Sequence, residues 1–214
     1  MKKTIIFDMD GTIIDTEKYF RVIWPQAVAH FGYHMTDEQS LELRSLGRPF
    51  AIEHFKKLYG PEFDYEMVRS YRKQLMEEAL QKNGIELKAG AVPLLTYLKE
   101  KHYRTAVATA SDMERTKRYL GQLDLLPYFD ELISATMVKE GKPSPDVYLY
   151  ACEQLGERPQ DCIAVEDSPN GVLSAYRAGC RVIMIPDQTE PEEELKKLLY
   201  ARLDSLSDMI PMLH

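Results

Sequence analysis

The chain has 214 residues, 44% of them hydrophobic and 29% charged, with a formal net charge of −7. That composition suits a globular protein able to bury a sizeable core, and the acidic balance argues against non-specific binding to nucleic acid or to an anionic membrane. No apolar run approaches membrane-spanning length. No secretory leader is expected, because the apolar start is only four residues long and runs into aspartates. Cys152, Cys162 and Cys180 are odd in number with no CxxC spacing; they are expected reduced and buried, which points to the cytoplasm.

In chain order, the first element is the run Thr4-Ile5-Ile6-Phe7, which stops abruptly at Asp8-Met9-Asp10-Gly11-Thr12. An apolar, β-branched stretch ending in this way reads as a buried strand running into a polar loop. In an open α/β sheet the chemistry sits beyond the carboxyl ends of the strands. Two carboxylates one residue apart both reach that crevice only if the backbone turns, and Gly11 permits the turn. One carboxylate can then act as a nucleophile and its neighbour as a proton donor and acceptor. The plainer alternative is an Asp-x-Asp-Gly turn after an ordinary strand.

From Thr16 to about Asn83 the pattern is helical only. Tyr19, Phe20, Ile23, Trp24, Ala27, Val28 and Phe31 recur at three- and four-residue intervals, the apolar face of one amphipathic helix. Pro25 within it predicts a kink or a break. Further helices are expected around Asp37–Ser45, Pro49–Leu58 and Asp64–Gln81, separated by Gly47, Gly60-Pro61 and Asn83-Gly84.

After Gly90, helix and strand alternate. Helices are predicted at Ala91–Lys101, Met113–Leu123, Asp146–Leu155 and Asn170–Ala178, and strands at Thr105–Thr109, Glu131–Ser134, Cys162–Asp167 and Arg181–Ile185. The acidic stretch Glu190–Glu194 reads as a solvated helix start, and Leu203–Met212 as the last strand and helix. Such alternation implies a parallel sheet covered on both faces. The fold expected is therefore α/β, a doubly wound, Rossmann-like parallel-sheet core of residues 1–15 and 85–214, interrupted by a small all-helical domain of residues 16–84.

Two more polar clusters fall at predicted strand ends, Thr109-Ala110-Ser111-Asp112 and Glu166-Asp167-Ser168. Between them Gly141-Lys142-Pro143-Ser144-Pro145-Asp146 presents a lysine on a rigid turn just before a helix. A strand-end hydroxyl and the amides of a strand-to-helix turn can hold phosphate oxygens, a lysine adds a point charge, and clustered carboxylates suit Mg²⁺, a hard ion with oxygen ligands. Singly, each has an ordinary reading: Thr109 as a helix cap, Lys142 as a surface lysine, Glu166-Asp167 as a loop pair. Jointly, and in this order, they suit a phosphate monoester.

These motifs resemble those of the haloacid dehalogenase superfamily, in the branch of β-phosphoglucomutase and small sugar-phosphate phosphatases, over essentially the whole chain. Asp8-Met9-Asp10-Gly11-Thr12 is similar to the family's first motif, Thr109 to the second, Lys142 to the third and Val165-Glu166-Asp167-Ser168 to the fourth; the helical insert resembles its type 1 cap. The resemblance implies Asp8 as the nucleophile of an aspartyl-phosphate route and Asp10 as general acid and base. It implies Mg²⁺ held by Asp8, the Asp10 backbone carbonyl and Asp167, with Glu166 beside it, and phosphate oxygens held by Thr109, Ala110 and Lys142. On the cap, Arg48 and Arg44 flank Gly47 as specificity candidates, Arg48 being the better placed. Asp10 and Asp167 argue against a dehalogenase, which uses a lone nucleophile without metal.

A β-phosphoglucomutase is the closer alternative. The mutases carry a histidine where this chain has Phe20, which fits the apolar stripe as packing, and a lysine where it has Leu46. The reading is a Mg²⁺-dependent phosphatase of a small phosphorylated metabolite, a sugar phosphate by preference. It is taken to be monomeric, with no nucleic-acid or membrane partner. A non-catalytic regulator that keeps the fold is the remote alternative.

Overall fold

The computed structural model describes residues 4–213; residues 1–3 and 214, which the sequence assigns to the core domain, lie outside the described residues. β1 (Thr4–Phe7) stands inside a six-stranded sheet with β2 (Arg104–Thr109), β3 (Glu131–Ser134), β4 (Cys162–Glu166), β5 (Arg181–Met184) and β6 (Ala201–Arg202). The spatial order is β3-β2-β1-β4-β5-β6, and every adjacent pair is parallel. The chain winds from β1 outward to β3, then crosses to β4 on the other side of β1. Strand order thus reverses at β1, and such a reversal opens a crevice beyond the carboxyl ends of the two strands. Asp8 follows β1 there, and Glu166 ends β4.

Between β1 and β2 lie α1 (Glu17–His30), α2 (Asp37–Glu42), α3 (Arg48–Tyr59), α4 (Tyr65–Asn83) and α5 (Ala91–Glu100). They are followed by α6 (Met113–Gln122), α7 (Asp146–Leu155), α8 (Pro169–Ala178) and the single turn α9 (Glu193–Lys196). Parallel strands need such crossovers, and helices on both faces make the strands apolar on both sides. Alternation along each strand divides the core. Ile5, Phe7, Val107, Val165 and Ile183 pack with Leu94, Leu98, Leu120 and Met209. Ile6, Ala106, Ala108, Ala164 and Met184 pack on the other face with Val147, Ala151 and Val172. This is the α/β Rossmann-like arrangement expected.

The helices from α1 to α4 enclose a third cluster, with Trp24, Val28, Phe55, Phe63, Tyr65 and Val68 at its centre; the Phe55 and Phe63 rings stack at 4.9 Å. Burying each such aromatic contributes about 1.5–3 kcal/mol. Where the chain leaves and rejoins the sheet, the Asp15 amide donates to the Glu86 carbonyl at 2.8 Å and the Lys88 amide to the Ile13 carbonyl at 2.9 Å. The two connecting segments are thereby stitched side by side.

Three local expectations change. Helix α1 continues unbroken through Pro25, because Ile23, Trp24, Ala27 and Val28 stay buried on one face while the ring lies on the half-buried side. Helix α2 stops at Glu42 rather than Ser45; Ser45 turns to φ +55, a left-handed conformation that costs a non-glycine residue on the order of 1 kcal/mol or more. The last helix is a 3₁₀ segment, Leu206–Leu213, preceded by the two-residue β6.

Candidate active site

The geometry begins at the end of β1. The Asp8 amide continues the ladder by donating to the Val165 carbonyl at 2.9 Å. The backbone then turns through Gly11 at φ +84, where an added Cβ would lie 2.5 Å from Asp167 Oδ2. A side chain there meets both a backbone and a space penalty, so the glycine is what lets the two acidic loops meet. Asp8 is buried, and its Oδ1 accepts from Lys142 Nζ at 2.5 Å. The fully buried Lys142 also donates to Glu166 Oε1 at 2.6 Å, and the Tyr148 hydroxyl on α7 donates to the same oxygen at 2.5 Å.

The other oxygens of this group, Asp8 Oδ2, Glu166 Oε2 and Asp167 Oδ2, have no partner among the described residues. One ligand oxygen from each of Asp8, Glu166 and Asp167 lies within 4.8 Å of the others. Burial pushes the Asp8 carboxyl up to about 8 against the opposing pull of Lys142, with Glu166 adding to the rise. Burial, then the charge of Asp8, likewise holds Asp167 well above the ordinary carboxylate range. Three clustered buried carboxyls, two of them on the Lys142 ammonium and an oxygen of each left bare, form an all-oxygen donor set that fits a hard divalent cation.

Asp10 sits beside this cluster and is held by three donors. Thr16 Oγ1 and Arg115 Nη2 each donate to Oδ1 at 2.5 Å, and Ser111 Oγ donates to Oδ2 at 2.7 Å. Thr16 occupies the N-cap position of α1 yet makes no side-chain cap bond, because its hydroxyl is turned to Asp10. Glu17, next in sequence, is also buried, and its carboxyl is raised by burial and by Asp10 while Arg44 opposes the rise.

Thr109 ends β2, buried, and its Oγ1 accepts from the Ser111 amide at 3.0 Å. It does not cap α6; Asp112 does, accepting from the Arg115 amide at 2.9 Å. Thr109 and Ala110 line one cleft with Asp8 and Asp10. Ser168 caps α8 by accepting from the Gly171 amide at 3.3 Å, which starts that helix directly behind Glu166.

The helical insert closes the far side of the cleft. The Gly47 amide donates to the Lys142 carbonyl at 2.7 Å, and a Cβ on Gly47 would lie 2.8 Å from Gly141 Cα. The Asn170 side chain donates to the carbonyls of Glu42 at 3.1 Å and Arg44 at 2.9 Å. Arg44 and Arg48 both line the cleft, but differently. Arg44 is buried and donates to Thr189 Oγ1 at 2.5 Å. Arg48 is mostly exposed and paired with Glu66 at 2.6 Å.

The structure brings here several residues that the sequence does not single out. Arg115 carried one usable signal: a cation in the first turn of a helix opposes the dipole, and such a placement asks for a carboxylate, which is Asp10. Tyr148 and Arg72 carried none, since each falls within an otherwise ordinary helical pattern. Phe20 lies against the cleft as well as the core, with the Arg72 and Arg115 guanidiniums 5.0 Å and 4.8 Å from its ring centre.

A family model described as haloacid dehalogenase-like hydrolase matches residues 5–185. Hexitol phosphatase A of Escherichia coli is 30% identical over 201 residues, covering 93% of this chain and 91% of that protein. A probable pseudouridine-5'-phosphatase of Drosophila melanogaster is 31% identical over 217 residues, covering 96% of this chain and 90% of that one. Among solved structures, CbbY from Rhodobacter sphaeroides in complex with phosphate aligns with a TM-score of 0.81 at 26% identity, over 98% of this chain and 97% of that one.

Proposed function

This chain belongs to the haloacid dehalogenase-like hydrolases, and from that premise we propose that it hydrolyses the phosphate ester of a small metabolite, a sugar or polyol phosphate, through an aspartyl-phosphate on Asp8. The observation that carries the reading is the state of Asp8. One oxygen is fixed by a buried lysine, the other is bare, and a second aspartate held by hydroxyls lies two residues on. Related proteins named as phosphatases of a hexitol and of pseudouridine 5'-phosphate support the substrate class.

In this reading one carboxylate oxygen of Asp8 attacks phosphorus, the other serving the metal and Lys142, while the carboxyl of Asp10 gives its proton to the leaving alkoxide oxygen. Asp10, now a carboxylate, takes a proton from the water that attacks the aspartyl-phosphate, which restores Asp8 and releases phosphate. The Thr109 hydroxyl, the Ala110 amide and Lys142 Nζ hold the phosphoryl oxygens, since this transfer is catalysed mainly by positioning and charge. Asp8, the Asp10 carbonyl and Asp167 would hold Mg²⁺, with Glu166 beside them. When bound, that ion offsets the negative charge of the phosphoryl oxygens facing the carboxylates.

The insert, residues 16–84, serves as a cap on the core of residues 1–15 and 85–214, and excludes bulk water. Arg44 and Arg48 reach the substrate from it. The mutase alternative would want polar groups at Phe20 and Leu46, and here both are packed against apolar clusters. The free, buried cysteines suit a reducing cytoplasm. Among the described residues no helix is long and apolar enough to cross a membrane.

The test is phosphate release from a panel of sugar, polyol and nucleoside monophosphates with Mg²⁺, wild type beside Asp8→Asn. Release lost in the variant supports the reading. Equal release by both proteins, or conversion of a hexose 1-phosphate to its 6-phosphate without release, overturns it.

A further inference from the structure

Arg72, midway along α4, is 6% exposed, yet among the described residues its side chain makes no hydrogen bond and no ion pair. Its contacts are the ring faces of Phe20 and Trp24, 5.0 Å and 5.1 Å from the guanidinium carbon, and its Nε is buried without a partner. Of the surrounding cations, Arg115 has Asp10, Arg48 has Glu66 and Lys73 has Asp112, whereas Arg69, which also lines the cleft, has no ion pair among the described residues. Burial, together with the positive Arg115 and Arg69, lowers the Arg72 pKa to about 9. Positive charge has therefore accumulated there beyond what the protein neutralises, and a buried ion without a counter-charge is strongly unfavourable. Arg115 has a buried, unpartnered Nε as well. Both arginines line the cleft that holds Asp8 and the adjoining hollow between α4 and α6.

We propose that the substrate carries a second anionic group, a phosphate or a carboxylate remote from the ester phosphate, and that Arg72, with Arg115 beside it, receives it at the α4–α6 end of the cleft. This rests on the reading that the Asp8 end takes a phosphate ester. A guanidinium presents a planar fork of donors that matches either oxyanion, whereas a hydroxyl would leave its charge uncompensated. The aromatic rings of Phe20 and Trp24 keep the fork in place without neutralising it. Arg72 comes from the insert and Arg115 from the sheet domain, so an anion between them would also tie the insert shut over the ester.

The test compares kcat/KM for phosphate release within two matched pairs, 6-phosphogluconate against glucose 6-phosphate and fructose 1,6-bisphosphate against fructose 6-phosphate. Binding of the same four compounds to Asp8→Asn is measured by calorimetry, with and without Arg72→Met. Wild type should favour the second-anion member of at least one pair by about 10- to 100-fold. The carboxylate pair or the bisphosphate pair identifies the source of the charge. Arg72→Met should reduce the preference to a few-fold, and Arg72→Lys should restore part of it. No preference in either pair, in turnover and in binding, overturns the inference, as does a preference that survives Arg72→Met. Arg72-dependent binding of a second-anion compound without any phosphate release would uphold it and overturn the hydrolase reading instead.

Discussion

Gly171→Ala is the substitution for which helix propensity and the structure disagree in sign. Gly171 is the third residue of α8, and at an ordinary helical site alanine is favoured over glycine by about 0.8–1.0 kcal/mol. Here a Cβ would fall less than 3.0 Å from Oε2, Cδ and Oε1 of Glu166, so the carboxylate must leave its position. It would give up Lys142 at 2.6 Å and Tyr148 at 2.5 Å, in a place where none of the three side chains reaches water. Removing one partner from a buried charged network costs about 3–5 kcal/mol. Subtracting the propensity gain leaves a net loss of about 2–4 kcal/mol. Urea unfolding of both proteins followed by circular dichroism reads this directly, and phosphate release should fall with it because Lys142 also holds Asp8. An alanine variant as stable as wild type, or more so, would refute the argument that Glu166 is locked in place by the absence of a side chain on α8.

In chelator, the Asp8 carboxyl is pushed up to about 8, against about 3.9 in the unfolded chain. The folded state thus keeps a proton that the unfolded state releases, so this contribution is present below about pH 3.9 and is lost as pH rises toward 8. The urea midpoint in EDTA should fall between pH 5 and pH 8, and a flat or rising midpoint contradicts the assignment. Asp167→Asn removes one charge from the cluster, so it should stabilise the protein in chelator and abolish the Mg²⁺-dependent gain, which at a hundredfold excess over Kd is about 2.7 kcal/mol. An undiminished Mg²⁺ gain would place the ion elsewhere. Gly47→Val would put a side chain against Gly141, whose Cα lies 2.8 Å from the Cβ position. It should lower kcat/KM by tenfold or more while leaving the urea midpoint of the sheet domain unchanged, and unaltered kinetics would mean that the insert need not close on the Lys142 loop.

What the sequence makes legible follows from where physical signals are local. Asp8, Thr109 and Glu166 end apolar runs, and the parity of a strand carries each to the crevice once the strands are placed. Lys142 is legible because Gly141 and Pro143 mark a turn before a helix. Arg115 and Arg72 are hard to see because a helical face tolerates arginine almost anywhere, and only the approach of α4 to α6 makes these two face one cleft. Resemblance ranks Arg48 above Arg44, whereas burial singles out Arg44. Burial depends on the early stop of α2 and on the strained turn at Ser45, and no residue type announces either.

The placement of charge in the cleft carries one more step. Its floor is acidic, with Asp8 and Asp10 lining it and the buried Glu166 and Asp167 clustered with Asp8 behind, and its far wall is basic, with Arg72 making no ion pair among the described residues. An anionic substrate entering such a cleft is drawn to the wall and repelled by the floor. The ester phosphate therefore reaches Asp8 more readily when a cation neutralises the floor and another anion occupies the wall. A substrate with a single phosphate then has two modes, a productive one at Asp8 and an unproductive one with its charge on the wall. Competition should expose this. A non-hydrolysable dicarboxylate that fills the Arg72 site should inhibit substrates carrying a second anion, and it should speed the hydrolysis of simple monophosphates by removing their unproductive mode. If the dicarboxylate inhibits both classes equally, the polarity of the cleft does not orient the substrate.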